Sequence, residues 1–138
     1  MSEKIRFTLD GTEVDAAADE TIWQVAKRLG TTIPHLCHKD AKGYQADGNC
    51  RACMVAIDGE RTLAASCVRK PTTGMVVTTS EPRETQARRM VIEMLATDQP
   101  ERAVAHDKSS HFWDVADATG VQESVSLIHI SEPTRLRL

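Results

Sequence analysis

The chain has 138 residues, a net charge of −3 and a pI near 5.9, with 41 % hydrophobic and 27 % charged residues. That composition predicts a globular domain with an appendage, long enough to bury a core without staples. Five aromatic residues and a negative total charge argue against a nucleic-acid partner, which needs a basic face and stacking surfaces.

No apolar run follows the charged residues 1–4, and none reaches the length of a membrane span, so neither a signal peptide nor a membrane segment is predicted. The cytoplasm is the expected address. In that reducing compartment four cysteines are expected as metal ligands or redox groups rather than disulfides.

Residues 5–9 alternate apolar and polar with period two, meet Asp10-Gly11, and continue into 12–15, which predicts a tight hairpin. Asp19 or Thr21 caps a helix whose apolar side is Ile22, Val25, Ala26 and Leu29, and Gly30 ends it. Residues 34–52 have little periodicity, and a loop of that length in a small domain is usually functional. Residues 54–57 predict a strand, Asp58-Gly59 a turn, 61–65 its partner and 75–78 one more strand. Two strands, a helix, a long loop and three strands match a small mixed sheet wrapped over one helix. The predicted fold class is therefore α+β, of the β-grasp arrangement. A second helix runs from Glu81-Pro82 to about Thr97, with Val91, Met94 and Leu95 apolar, and Pro100 stops it. Residues 111–119 predict another short helix.

The four cysteines fall as Cys37-x12-Cys50-x2-Cys53-x13-Cys67. Thiolates suit iron–sulfur clusters because soft, anionic sulfur matches iron and spreads the added electron. The Cys-x2-Cys pair reaches a metal from one turn, and the hairpin returns Cys67 towards Cys53. Small residues at Ala46, Gly48, Ala52, Ala64, Ala65 and Ser66 leave room for backbone N–H groups to point at sulfur. Arg51 reads either as positive charge beside the centre or as a solvated loop side chain. Spacing alone leaves two rivals open. A structural zinc site usually joins two Cys-x2-Cys knuckles, and only one is present; a thioredoxin-type dithiol would leave two cysteines unexplained.

The stretches 33–37 (Ile-Pro-His-Leu-Cys), 48–55 (Gly-Asn-Cys-Arg-Ala-Cys-Met-Val) and 65–68 (Ala-Ser-Cys-Val) resemble the [2Fe–2S] domain that begins several related subunits. These are the large peripheral subunit of NADH:quinone oxidoreductase, the diaphorase subunit of NAD-reducing hydrogenases and the alpha subunit of NAD-dependent molybdenum formate dehydrogenases. The resemblance covers about residues 3–124. It implies a [2Fe–2S] cluster on Cys37, Cys50, Cys53 and Cys67. It also implies electron transfer, with other iron–sulfur and flavin- or NAD-binding subunits as partners. In the first two relatives the next helix leads into His-x3-Cys-x2-Cys-x5-Cys for a [4Fe–4S] cluster. Here those positions are Asp98, Arg102, Ala105 and His111, so that cluster is not expected in this stretch. Residues 98–101, 106–107 and 110–113 are more similar to the formate dehydrogenase subunit.

The expected organisation is a ferredoxin-type domain over 1–80, a helical extension over 81–124 leading to further domains, and a tail over 125–138. That tail resembles a translated sequencing adapter, so it is expected to be non-native and to cut short a longer subunit. No nucleophile–base pair, carboxylate dyad or phosphate loop can be assembled, so no catalytic residue is predicted. His35 and His38 are expected to shape the edge of the cluster loop, and His106 and His111 to be solvated or capping. Trp23 is expected half-buried between helix and sheet, and Met90 and Met94 to be packing residues. Arg83, Arg88, Arg89, Glu84 and Glu93 read as a solvated helix face.

Overall fold

A computed structural model describes residues 3–39 and 41–121; the expected adapter-like tail lies outside the described residues. The chain divides into two compact units, Met1–Arg88 and Arg89–Leu138.

The first unit is built on a hairpin of β1 (Lys4–Leu9) and β2 (Thr12–Ala17), paired antiparallel from Lys4↔Ala17 to Leu9↔Thr12. Its turn is the predicted Asp10-Gly11, with φ of 51° and 83°, the doubly left-handed pair that matches the twist of the flanking strands. Helix α1 (Ile22–Arg28) follows. Of the two candidate caps, Thr21 is the one used: its hydroxyl accepts from Gln24 N, and the Gln24 side chain accepts from Thr21 N, a complete capping box. After the long loop come β3 (Met54–Ile57), a two-residue β4 (Ala64–Ala65) and β5 (Val76–Thr78).

The sheet order is β2-β1-β5-β3-β4, with β5 parallel to β1 and antiparallel to β3. Phe7, Leu9, Val55, Ile57 and Val77 point from the sheet into one core with Ile22, Trp23, Val25 and Ala26 of α1 and with Ile33. Each fully buried aliphatic of this kind contributes about 1.5–3 kcal/mol. This is the α+β arrangement expected of a ferredoxin-like domain. Arg28 fastens the end of α1 to the hairpin, donating to Asp15 O at 2.7 Å and to Glu20, whose carboxylate also accepts from Ala17 N at 2.8 Å.

Three expectations are corrected. The partner strand expected over 61–65 pairs only at Ala64 and Ala65, because the Arg61 carbonyl accepts from the Arg83 side chain instead of a strand neighbour. Leu29, placed on the apolar side of α1, is half-exposed at the helix end, whereas Trp23 is almost fully buried. The third concerns α2 (Pro82–Ala96). Its buried positions are Glu84, Arg88, Ile92 and Ala96, one every turn, while Met90 and Met94 are exposed rather than packed.

In the second unit, the residues described after α2 form a 3-10 turn at Arg102–Val104 and α3 (His111–Thr119). Arg102 lies over the Trp113 ring, 5.6 Å from its centre, and holds Asp117 at 2.8 Å. His106 and His111 are exposed. No helix among the described residues is long and apolar enough to cross a membrane.

Candidate metal centre

Cys37 and Cys50 lie in the loop after α1, Cys53 immediately before β3, and Cys67 just past β4. The antiparallel register Met54↔Ala65 carries Cys67 back beside Cys53, as the hairpin predicted. Ser66 locks that return: its amide and hydroxyl both donate to Cys53 O, at 3.3 and 2.7 Å. The same turn is held against the start of α1, where Trp23 N donates to Ser66 O and Ile22 N to Arg69 O, each at 2.9 Å. These two amides are among those a helix leaves without intrahelical partners, so α1 and the Cys67 turn fix one another.

The loop is shaped by local chemistry. Asp47 accepts from Asn49 N at 3.3 Å and Asn49 Nδ2 at 3.0 Å, closing a side-chain-mediated turn. Gly48 has φ of 69° and sits so close that a Cβ there would meet Val68 Cγ2 at 3.3 Å. Arg51 adopts φ of 60°, an unusual conformation for a side-chain-bearing residue, between the two cysteines of the knuckle. The result is a set of amides aimed at sulfur: Cys37 N to Cys50 Sγ at 3.4 Å, Cys50 N to Cys37 Sγ at 3.5 Å, and Ala52 N to Cys50 Sγ at 3.4 Å. Ala52 is one of the small residues expected to admit such contacts.

The four thiols occupy one locale. Cys53 and Cys67 share a hydrogen bond. The Cys67 donor, helped by Ser66, holds the Cys53 thiol down to about 6 against the opposing effect of burial. The Cys67 thiol is pushed up by giving that hydrogen bond, by burial, and by the negative charge of Cys53, Cys37 and Cys50. Burial also raises the Cys37 thiol, which donates to Asp47 and so lowers the Asp47 carboxyl. Clustered thiols that raise one another's resistance to ionisation are an environment that a bound cation resolves. Among the described residues no three His, Cys, Asp or Glu side chains are gathered tightly enough for one metal ion. The cysteines form two pairs instead, Cys37 with Cys50 and Cys53 with Cys67.

Around this locale the two histidines expected at the loop edge are drawn inward. His35 and His38 pack edge-on against Trp23 with ring centres 4.8 and 4.5 Å away, and Trp23 Nε1 donates to Ile33 O at 2.9 Å. His38 is buried with neither ring nitrogen hydrogen-bonded among the described residues. A polar ring left so beside Cys37 suits a site that a further polar group completes. Arg51 is exposed.

Two residues read from the sequence as solvated, Arg88 and Glu84, are buried. Arg88 is 7 % exposed, and its guanidinium donates to Thr79 O and, at 3.3 Å, to Met54 O; Glu84 is fully buried and accepts from Glu81 N at 3.0 Å. Their spacing with Ile92 and Ala96 was the available signal. It was masked because charge at these positions reads as surface.

Residues 2–82 match the family described as the 2Fe-2S iron-sulfur cluster binding domain. NADP-reducing hydrogenase subunit HndD of Solidesulfovibrio fructosivorans is 34 % identical over 125 residues, covering 87 % of this chain and 21 % of that protein. An NADH-quinone oxidoreductase subunit of Rickettsia bellii is 33 % identical over 96 residues, 70 % of this chain and 14 % of that one. The mitochondrial NADH-ubiquinone oxidoreductase 78 kDa subunit of Candida albicans is 38 % identical over 97 residues, 70 % and 13 %. The chain thus spans 13–21 % of the length of these curated relatives. The crystal structure of an NAD+-reducing [NiFe]-hydrogenase in the H2-reduced state is similar with a TM-score of 0.74 and 29 % identity, over 87 % of this chain and 50 % of that chain.

Proposed function

Because this chain belongs to the 2Fe-2S iron-sulfur cluster binding domain family, with a [2Fe–2S] cluster as its cofactor, we propose that it passes single electrons within a larger oxidoreductase and that Cys37, Cys50, Cys53 and Cys67 hold the cluster. The observation that carries this assignment is geometric: the Cys37 and Cys50 amides each donate to the other's sulfur, at 3.4 and 3.5 Å, and the Met54↔Ala65 register with the Ser66–Cys53 hydrogen bond returns Cys67 beside Cys53. Cys37, Cys50, Cys53 and Cys67 would together supply the four thiolates that such a cluster needs. The match to a 2Fe-2S cluster binding domain sets the structural zinc reading aside.

When bound, such a cluster supplies reversible uptake of one electron. The residues of the chain position and insulate it. The amides of Cys37, Cys50 and Ala52 place positive dipole against sulfur, which eases the arrival of negative charge. Burial of Cys53 and Cys67 keeps water from one side. Anaerobic reconstitution with iron and sulfide should give about two of each per chain and an S = 1/2 paramagnetic signal after dithionite. Cys50→Ser should abolish or strongly alter both. A colourless protein with one zinc, or unchanged iron in Cys50→Ser, refutes the proposal.

The parent enzyme we propose is NAD-linked and cytoplasmic, a molybdenum formate dehydrogenase alpha subunit to which residues 98–101, 106–107 and 110–113 are more similar, with iron–sulfur and flavin- or NAD-binding partners. In support, the chain has no cysteine after Cys67. A diaphorase or NADH:quinone oxidoreductase subunit is the second reading, favoured by the named relatives. The proposed organisation is 1–80 for the cluster domain, 81–124 for the helical extension and 125–138 as non-native sequence. Genomic sequence across residue 124 tests all of this: a molybdopterin domain downstream supports the first parent, and its absence the second.

A further inference from the structure

Arg88 is a cation in an unusual place. It lies on α2 at a buried position, 7 % exposed, with its guanidinium donating to the carbonyls of Met54 and Thr79. Met54 directly follows Cys53, so the charge sits behind the ligand-bearing backbone. Thr79 is itself fastened from the other side, its amide and hydroxyl donating to the two carboxylate oxygens of Asp10 at 2.7 and 2.6 Å. Glu84, one turn earlier and fully buried, places a carboxylate on the same side of the helix. A guanidinium is not carried into such a site for stability: burial costs several kcal/mol, and an apolar side chain of similar volume is often as stable or more so. Its retention calls for another role.

We propose that Arg88 is a fixed internal charge that raises the reduction potential of the centre held by Cys53 and its partners, with Glu84 setting the magnitude by opposing it. The inference rests on the cysteine assignment above. When a one-electron donor reduces the centre, ferric iron becomes ferrous, no bond is made or broken, and one unit of negative charge is added near Cys53. A cation whose position is already fixed stabilises that charge without reorganisation. Burial lowers the Arg88 guanidinium from its ordinary range, while attraction from Glu84, Cys53 and Asp10 works to keep it charged, in agreement with this geometry. Being internal, the effect is little screened by salt.

The test is a dithionite titration of the reconstituted full chain, followed by the paramagnetic signal. Arg88→Met should make reduction about tenfold less favourable, a shift of ~59 mV to lower potential for one electron. Arg88→Lys should restore most of it, and Glu84→Gln should move the potential the opposite way. Arg89→Met, on the exposed side of the same helix, should leave it unchanged, and the shifts should persist in high salt. A purely structural role would move Arg88→Met and Glu84→Gln in the same direction or not at all, and either result overturns the inference. Should Arg88→Met fail to fold, the sign of the Glu84→Gln shift decides alone. Failure of the unsubstituted chain to assemble a cluster refutes the cysteine assignment instead, so the two failures are distinct.

Discussion

At Gly48 the backbone turns through φ of 69° two residues before Cys50, and a methyl group there would press on Val68 Cγ2 at 3.3 Å. Left-handed backbone costs a residue with a Cβ about 1–2 kcal/mol, so Gly48→Ala should lower the stability of the chain by that order in denaturant unfolding. Because the strain falls on the loop that aims amides at Cys37 and Cys50, the variant should also lose iron faster to a chelator. Glu20 gives a residue-scale prediction in pH. Burial opposes its charge, but the Ala17 amide and the Arg28 guanidinium outweigh that and bring its carboxyl below its ordinary 4.5. A lowered acid contributes stability above its unfolded pKa and loses it as pH falls through the folded value. Glu20→Gln should therefore be less stable than the parent at neutral pH, and the difference should shrink as pH falls below the ordinary carboxyl range and vanish once pH passes the lowered folded-state value.

At the scale of elements, α1 supports the cysteine-bearing loops, since its first amides hold the Cys67 turn and its Trp23 holds Ile33 and the two histidines. Thr21→Ala removes the hydroxyl half of the capping box and should cost about 1 kcal/mol, read as a lower unfolding midpoint. The elements also show where sequence was legible. The Asp10-Gly11 hairpin, the Thr21 cap and β3 follow from period, cap and turn chemistry, all of which are local. β4 was overextended because its length depends on whether the Arg61 carbonyl meets a strand or the distant Arg83 side chain. The buried side of α2 was misassigned for the same reason. A helix carries Arg88 inward only when the carbonyls of Met54 in β3 and of Thr79 just past β5 are waiting for it, and no short window of sequence contains them all.

For the whole chain, the central thermodynamic consequence is linkage. A cluster bound by the folded state alone stabilises it by mass action, and four clustered thiols that lose their metal regain mutual repulsion and unmet burial. Anaerobic removal of iron should lower the melting temperature well beyond the effect of Thr21→Ala, and reconstitution should restore it. If the metal-free and reconstituted chains melt together, the thiols are not where the cluster binds.

The spacing of Cys37, Cys50, Cys53 and Cys67, with small residues between and beside them, pointed to a thiolate-held centre but left zinc and a dithiol open, and the resemblance of the stretches around the cysteines singled out the [2Fe–2S] reading. The α+β fold was legible because alternation in strands and capping in helices are short-range patterns. Tertiary structure decided what depends on partners far apart in sequence: the pairing of Cys37 with Cys50 through their amides, the order of the strands, the inward packing of His35 and His38 on Trp23, and the burial of Arg88 against Met54 O. Charge is read from sequence as solvent-exposed until a fold supplies the carbonyls that let it be buried.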